Sequence, residues 1–348
     1  MNTWAPLLVR ERDATEPIAA TYAAEGTDVD FGSVTRQLFE DFTQRGGNIS
    51  RGTEVIDLHR ETNGLWEVDT RDRNSGAVST LHARTVLIGA GGWTLKLLRS
   101  AHAPEVRGYG LLPVSGTFLS TTASEIVEQH PVKVYGKAPT GAPPMSMPHL
   151  DARVIDGKPS VLFGPFAGAV PKYLKNGSML DLPKSLRPDN LWSLATMSVK
   201  NLSLVSLLVR DLMTSHAGKV EALRAFAPSV RDTDWHTTVA GQRAQIVKPN
   251  AKGRGVLQFG TEVISSAEGT LAGVLGASPG ASTAVPIALD ILGRSFPSKI
   301  DTWTSGLLRD YIPSLGTALA TDAKRSEEVK ASITATLKLN QPNSGYQG

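Results

Sequence analysis

Residues 85–93 read TVLIGAGGW, and the fold class turns on them. Thr85, Val86, Leu87 and Ile88 have the composition of a strand buried in a parallel sheet, and they run into Gly89, Ala90, Gly91 and Gly92. Lacking a Cβ, glycine lets the backbone approach a neighbour or a ligand closely. In open α/β sheets the crevice beyond the carboxyl ends of parallel strands binds ligands. Two readings follow from the stretch alone: a ligand-holding turn, or a tight strand-to-helix connection that holds nothing.

Upstream, Val34, Leu38, Phe39 and Phe42 recur at helical spacing before Gly46 and Gly47, which predicts a helix over 33–45 with its apolar face in the core. Three strands are predicted at 54–60, 65–71 and 78–83, separated by the turn signals Thr62-Asn63-Gly64 and Asn74-Ser75-Gly76. This three-stranded meander feeds straight into TVLIGAGG, an order common in the dinucleotide-binding sheets of flavoproteins. Such sheets hold the pyrophosphate on a G-x-G-x-x-G turn that opens their first helix. That fingerprint does not occur in these 348 residues.

Beyond residue 106, Gly108, Gly110, Pro113 and Gly116 surround a predicted strand, and Pro139, Pro143, Pro144 and Pro148 stiffen residues 137–149. His149-Leu150-Asp151-Ala152-Arg153 then leads into a hairpin turned at Asp156-Gly157. Residues 190–224 read as helical, with Asp189 or Asn190 as N-cap. Leu194, Met197, Leu204, Leu207, Leu208 and Leu212 form a broad apolar stripe there, suited to a core helix or to a lipid- or quinone-facing surface. Strands follow at 237–247, 255–260 and 270–275, the last entering a second glycine turn at 276–283. Ser278 is the expected cap and Pro279 the first residue of the next helix, with Val285, Ala288, Leu289 and Leu292 on its buried face. A last helix at 326–339 precedes a frayed tail at 340–348.

Composition narrows the chemistry. With 36 Lys and Arg against 33 Asp and Glu, the formal charge is +3 and scattered, which argues against nucleic acid. The absence of cysteine removes disulfides, thiolate nucleophiles and cysteine-held metal clusters. No two of the seven histidines share metal-ligand spacing on a helix face, so no metal is expected. No signal peptide is legible, and no run reaches about 18 uncharged apolar residues, so membrane contact would be peripheral. His149 is the candidate base, set against a purely structural histidine. Arg153 and Arg243, whose guanidinium groups can clamp carboxylates in two-pronged fashion, and Lys172 are candidates for binding a small diacid, set against ordinary surface cations.

Several strings carry a resemblance: WAPLL, TDVDFG, TRQLF, GAGG, PVSG, the long block VYGKAPTGAPPMSMPHLDARVIDGKPSVLFGPFAG, AGQRAQIVK, GVLQFGTEV and LGASPGAST. Together they resemble the malate:quinone oxidoreductase family over nearly the whole chain. Trp93 and Thr117 depart from the pattern, where a small residue and a glutamine are expected. The resemblance implies an FAD enzyme of the tricarboxylic acid cycle, peripheral at the cytoplasmic face of the membrane, that oxidises (S)-malate to oxaloacetate and reduces membrane quinone. It implies a mixed α/β fold: a glutathione-reductase-like FAD-binding lobe, lacking its first βαβ unit, plus a mixed-sheet substrate lobe.

The same resemblance divides the chain. Residues 1–105 and 251–298 fall to the FAD lobe, 106–250 to the substrate lobe, 299–339 to C-terminal helices and 340–348 to a flexible tail. It makes Val55 an adenine-side contact, and Gly89, Gly91 and Gly92 the closing turn of the FAD site. Gly276, Ser278, Gly280 and Ser282 become its flavin-facing loop. His149 becomes the base, with Arg153, Lys172 and Arg243 on malate's carboxylates. The expected alternatives are a truncated, inactive fragment that holds flavin poorly, and a related flavin-dependent 2-hydroxyacid dehydrogenase.

Overall fold

The computed structural model describes residues 1–23, 26–136, 148–276 and 280–339. The proline-dense run 137–147, Ser278 with Pro279, and the tail 340–348 lie outside the described residues. In chain order, α1 (Pro6–Val9) and α2 (Phe31–Gln44) precede the meander β1 (Thr53–Arg60), β2 (Trp66–Asp72) and β3 (Val78–Ala83). Next come β4 (Val86–Ile88), α3 (Thr94–Ser100), β5 (Gly110–Thr121), α4 (Ser124–Glu128), β6 (Lys133–Tyr135), β7 (His149–Ile155) and β8 (Lys158–Gly168). Four helices follow: α5 (Asp181–Ser185), α6 (Pro188–Lys200), α7 (Leu202–Met213) and α8 (His216–Arg224). The chain closes with β9 (His236–Pro249), β10 (Gly255–Gln258), β11 (Thr261–Ser265), β12 (Leu271–Gly276), α9 (Ala284–Ser295), α10 (Pro297–Ser305), α11 (Leu307–Tyr311) and α12 (Ala323–Thr336).

These strands make a mixed α/β architecture of three sheets: the antiparallel meander, a six-stranded sheet ordered β10-β9-β5-β8-β7-β6, and a three-stranded sheet ordered β11-β12-β4. Leu119, Leu150, Val161 and Phe163 of the large sheet pack against Leu7 and Leu8 of α1, Ile126 and Val127 of α4, and Val220 and Leu223 of α8. A second core joins Leu58 and Trp66 of the meander, Ile88 of β4, Leu95 and Leu98 of α3, Leu271 and Leu275 of β12, and Leu111 and Ile246 of the large sheet, and a third sets Leu204 and Leu208 of α7 on Val114 of β5. Burial of apolar area in the second holds the small sheets to the near end of the large one.

The meander, the Asp156-Gly157 hairpin turn and the strands at 237–247, 255–260 and 270–275 form as expected. Asp156 and Gly157 take φ of 49° and 74°, the left-handed pair that two-residue hairpins require. Four expectations need correction. β4 is parallel, pairing Val86, Leu87 and Ile88 with Leu271, Ala272 and Gly273. It is nevertheless an edge strand with one neighbour, and Leu87 is 50% exposed, so it is not fully buried. The helix at 33–45 forms under an Asp30 cap, but none of its residues is buried and Leu38 is 65% exposed. Its periodicity marks a face that favours burial without supplying anything to bury it against.

The third correction concerns residues 190–224, which break into α6, α7 and α8, with α6 and α7 bent by 83°. Arg187 is the N-cap of α6, Pro188 its first residue, and Asn190 sits at the third helical position, where its Oδ1 accepts from the Arg187 N–H at 2.9 Å. The stripe is half core: Met197, Leu204 and Leu208 are buried while Leu212 is exposed. Fourth, α9 starts at Ala284 after a 3-10 turn over Ala281–Thr283, too late for Pro279 to be its first residue, and its expected buried face does not form: none of its residues is buried and Val285 is 54% exposed.

His130, fully buried, links this packing to β7: its Nε2–H donates to the Leu150 carbonyl at 3.0 Å. Burial pushes its pKa below the ordinary 6.5. The unfolded chain then binds more protons as pH falls through that value, so stability is full above it and declines below. The wild-type melting temperature is expected to fall between about pH 7.5 and 5.5, and His130→Gln, which keeps a donor, is expected to flatten the slope. A variant whose slope matches the wild type would remove His130 as the cause.

Candidate functional site

Two glycine turns meet because β4 and β12 run parallel as neighbours, Ile88 opposite Gly273. The chain therefore leaves both strands at the same end of the sheet, about 4.8 Å apart at the last pair, into residues 89–93 and 276–283. The glycines divide by what an added Cβ would meet. At Gly92 it would overlap the Tyr173 carbonyl, and at Gly276, with φ of 101°, the Gly260 carbonyl, so both serve close packing of backbone on backbone. Gly91 takes φ of 56° at the start of the 3-10 turn Gly91–Trp93. At Gly89 and Gly280 a Cβ would meet nothing within 4 Å among the described residues, so among these the backbone there is open to an approaching group.

Beside them, Ser282 is exposed in the 3-10 turn before α9. No side chain caps α9, whose N-cap Thr283 donates its hydroxyl to the Gly280 carbonyl at 3.2 Å instead. Ala284, the first residue of α9, donates its N–H to the Ala281 carbonyl, and the expected cap Ser278 lies outside the described residues. Val55 of β1 is half-buried against the second core.

The four candidate catalytic residues fall into two groups. Lys172 precedes Tyr173, whose buried ring and carbonyl pack at Leu111 and Gly92, so it neighbours the first glycine turn. Arg243 lies on β9 opposite Val114, exposed, one residue before Ala244 of the second core. His149 and Arg153 lie on β7, three strands from β9 across the large sheet. His149 shares a row with Gly164, Phe118 and Thr238, five residues along β9 from Arg243. Three strand spacings and five residue rises separate His149 from Arg243 by roughly 20 Å.

Around His149 the structure gathers groups the sequence reading did not single out. Alternation along β7 puts His149, Asp151 and Arg153 on one face and Leu150 on the core face. His149 Nδ1 lies 2.8 Å from Asp151 Oδ2, a contact short of hydrogen-bond linearity. The Asp151 side chain is buried, and its Oδ1 has no hydrogen-bond partner among the described residues. Lys133 Nζ stands 3.6 Å from Asp151 and 3.7 Å from Asp28. Arg153 Nε is 2.8 Å from Asp28, and its Nη2 donates to the Val29 carbonyl at 3.3 Å, so its fork is engaged within the fold. Tyr135 and Phe118 rings flank the imidazole at 5.2 and 5.5 Å.

The H-x-D-x-R alternation carried the signal for Asp151 once 149–155 is a strand; nothing local pointed to Asp28. A further group also escaped notice. Lys219 of α8 is buried, donates to Thr117 Oγ1 at 3.1 Å and stands over the Phe166 ring, and burial pushes its pKa down. Among the described residues no group of three or more His, Asp or Glu is arranged to hold a metal.

A sequence model of the family described as "Malate:quinone oxidoreductase (Mqo)" matches residues 1–339. A "Probable malate:quinone oxidoreductase" of Mycobacterium sp. (strain KMS) is 46% identical over 340 residues, 98% of this chain and 66% of the relative. Another, of Rhodococcus jostii (strain RHA1), is 46% identical over 336 residues, 96% of this chain and 66% of the relative. The chain thus spans about two thirds of the length of these curated relatives, 66% in both. Among solved structures, a glycerol-3-phosphate dehydrogenase from Bacillus halodurans complexed with FAD aligns at 15% identity and TM-score 0.46, covering 77% of this chain and 44% of that one. L-proline dehydrogenase from P. horikoshii aligns at 12% identity and TM-score 0.41, covering 77% and 55%. Neither likeness is close enough to decide the fold.

The two kinds of glycine predict different outcomes. Gly92→Ala forces a Cβ into the Tyr173 backbone and is expected to cost about 1–3 kcal/mol of stability or more, read as a lower denaturation midpoint. Gly89→Ala meets open space and is expected to melt as the wild type does. Equal melting of the two variants would contradict the packing described for Gly92.

Proposed function

This chain belongs to the malate:quinone oxidoreductase family, and on that premise we propose that it acts in FAD-dependent oxidation of (S)-malate to oxaloacetate, with the electrons passed to a membrane quinone. The observation that carries the proposal is the family match over residues 1–339. The strand ends that β4 and β12 bring side by side support its cofactor half: among the described residues nothing lies within 4 Å of a Cβ added at Gly89 or Gly280. These features fit the edge of a flat, anionic cofactor. In this reading Gly89, Gly91 and Gly92 close one side of FAD, Gly276, Ser278, Gly280 and Ser282 face the flavin, and Val55 lies toward the adenine. They belong to an FAD-binding lobe, with the six-stranded sheet as the substrate lobe. FAD, when bound, supplies the acceptor for the hydride leaving malate C2.

His149 is the proposed proton acceptor. Asp151 stands 2.8 Å from Nδ1, close enough for its carboxylate to offset positive charge on the imidazole when Nε2 takes the malate hydroxyl proton. Asp151 is then a positioning residue, and Lys133 the nearby cation. Arg153, already paired with Asp28, must give up that contact to hold a carboxylate. A second reading places malate's carboxylates at Arg243 and Lys172, on the ground that Lys172 adjoins the glycine turn. The backbones of His149 and Arg243 stand roughly 20 Å apart, so the two groups are alternative anchors for malate in this reading. Peripheral attachment at the cytoplasmic face of the membrane completes the proposal.

The test is malate-dependent reduction of a soluble quinone analogue by the purified chain with excess FAD. No malate-dependent reduction above the FAD-only control would overturn the proposal. His149→Ala is expected to lower kcat by about 10²- to 10⁴-fold while leaving KM for malate little changed. Asp151→Asn is expected to lower kcat less. Normal turnover in His149→Ala, together with a raised KM in Arg243→Lys, would move the substrate to the second group.

A further inference from the structure

We infer that the cavity where α7 and α8 pack on β5 and β8 binds a small planar oxyanion that also carries a hydroxyl group, an ion of the hydrogencarbonate class. The site is separate from the residues proposed for malate and FAD. Its volume is about 40 Å³, and its lining includes Ser115 and Thr117 of β5, Phe166 of β8, Asp211 of α7 and Lys219 of α8. An enclosed water occupies roughly 10–15 Å³ of such space, so there is room for about three or four heavy atoms.

The lining holds a buried cation that the protein leaves partly uncompensated. Lys219 is 7% exposed because its neighbours Val220 and Leu223 fix α8 in the core. An ammonium has three N–H donors. Among the described residues Thr117 Oγ1 accepts one at 3.1 Å, and the Phe166 ring centre lies 5.4 Å from Nζ. Asp211 acts on Lys219 only as a more distant charge. The more exposed lysines Lys133 and Lys248 are, by contrast, paired with Asp28 and Asp151 and with Glu262. Burial pushes the Lys219 pKa down and the Asp211 pKa up, so each charge lacks a partner that an ion bonded to both would supply.

The hydrogen-bonding groups choose the ion. Ser115 Oγ accepts from Gln242 Nε2 at 3.4 Å, which leaves its own O–H to be donated. That hydroxyl and the Lys219 ammonium call for acceptor oxygens. Asp211, which takes the Ala167 amide, calls for a further donor. Chloride or a bare carboxylate has no proton to give Asp211 and is repelled by it. An oxyanion with one hydroxyl donates to Asp211 and accepts from the other two. Water is the competing occupant, because it bonds to all three groups without neutralising Lys219.

Isothermal titration calorimetry of the chain with sodium hydrogencarbonate tests the inference, with sodium formate and sodium chloride at equal ionic strength as comparisons. Neither malate nor FAD is present, so failure here leaves the malate proposal standing and failure of malate oxidation leaves this result standing. Hydrogencarbonate is expected to bind saturably at one site, formate at least about tenfold more weakly, and chloride without measurable heat. Lys219→Met, which removes a buried charge, and Thr117→Gln, which fills the cavity, are each expected to weaken binding by about tenfold or more, with a cooperative melt in plain buffer showing that they fold. Asp211→Asn offers a donor where the carboxylate stood and is expected to bring formate level with hydrogencarbonate. The inference is overturned by no saturable binding, which would leave water as the occupant, by formate or chloride binding the wild type as tightly as hydrogencarbonate, or by undiminished binding in a folded Lys219→Met or Thr117→Gln protein.

Discussion

The pairing of β4 with β12 is the contact on which the rest of the molecule depends. A three-residue parallel ladder, Val86 to Ile88 against Leu271 to Gly273, joins the first third of the chain to its last quarter. Parallel strands need a long crossover, and here the crossover is the entire six-stranded sheet with its helices. Ile88 and Leu271 then enter the core that also takes in Leu58 and Trp66 of the meander and Ile246 of β9. Few hydrogen bonds are involved, so apolar burial around the ladder supplies most of its stabilisation.

The same contact explains why glycine is needed for two different reasons at one place. Where β4 and β12 end, the backbone must pass under Tyr173 at Gly92 and beside Gly260 at Gly276, and a Cβ fits at neither. Gly89 and Gly280 face no such neighbour. Packing thus accounts for two of the five glycines that the sequence pattern groups together, Gly92 and Gly276, and the open pair is what a cofactor can use.

Around His149 the governing constraint is burial of a carboxylate. Asp151 has little access to water and its Oδ1 lacks a hydrogen-bond partner among the described residues, so the nearby imidazole and the Lys133 ammonium are its main compensation. That compensation fixes the His149 ring, while Asp28 takes up the Arg153 fork.

The sequence by itself determined the family, the meander, the hairpin at Asp156-Gly157 and the strand–glycine ends at residues 88–92 and 275–280, because these rest on local turn chemistry and on period-two or period-3.6 patterns. Only the tertiary structure decided what those elements face. Local pattern told that α2 has an apolar face, not that this face is left exposed; it told that Leu204 and Leu212 share a helical stretch, not that one is core and the other surface. It placed His149 and Arg243 on strands, and the strand order set them roughly 20 Å apart. Asp28 joined the His149 group only through a contact made across more than a hundred residues of chain, which no window of neighbouring residues encodes.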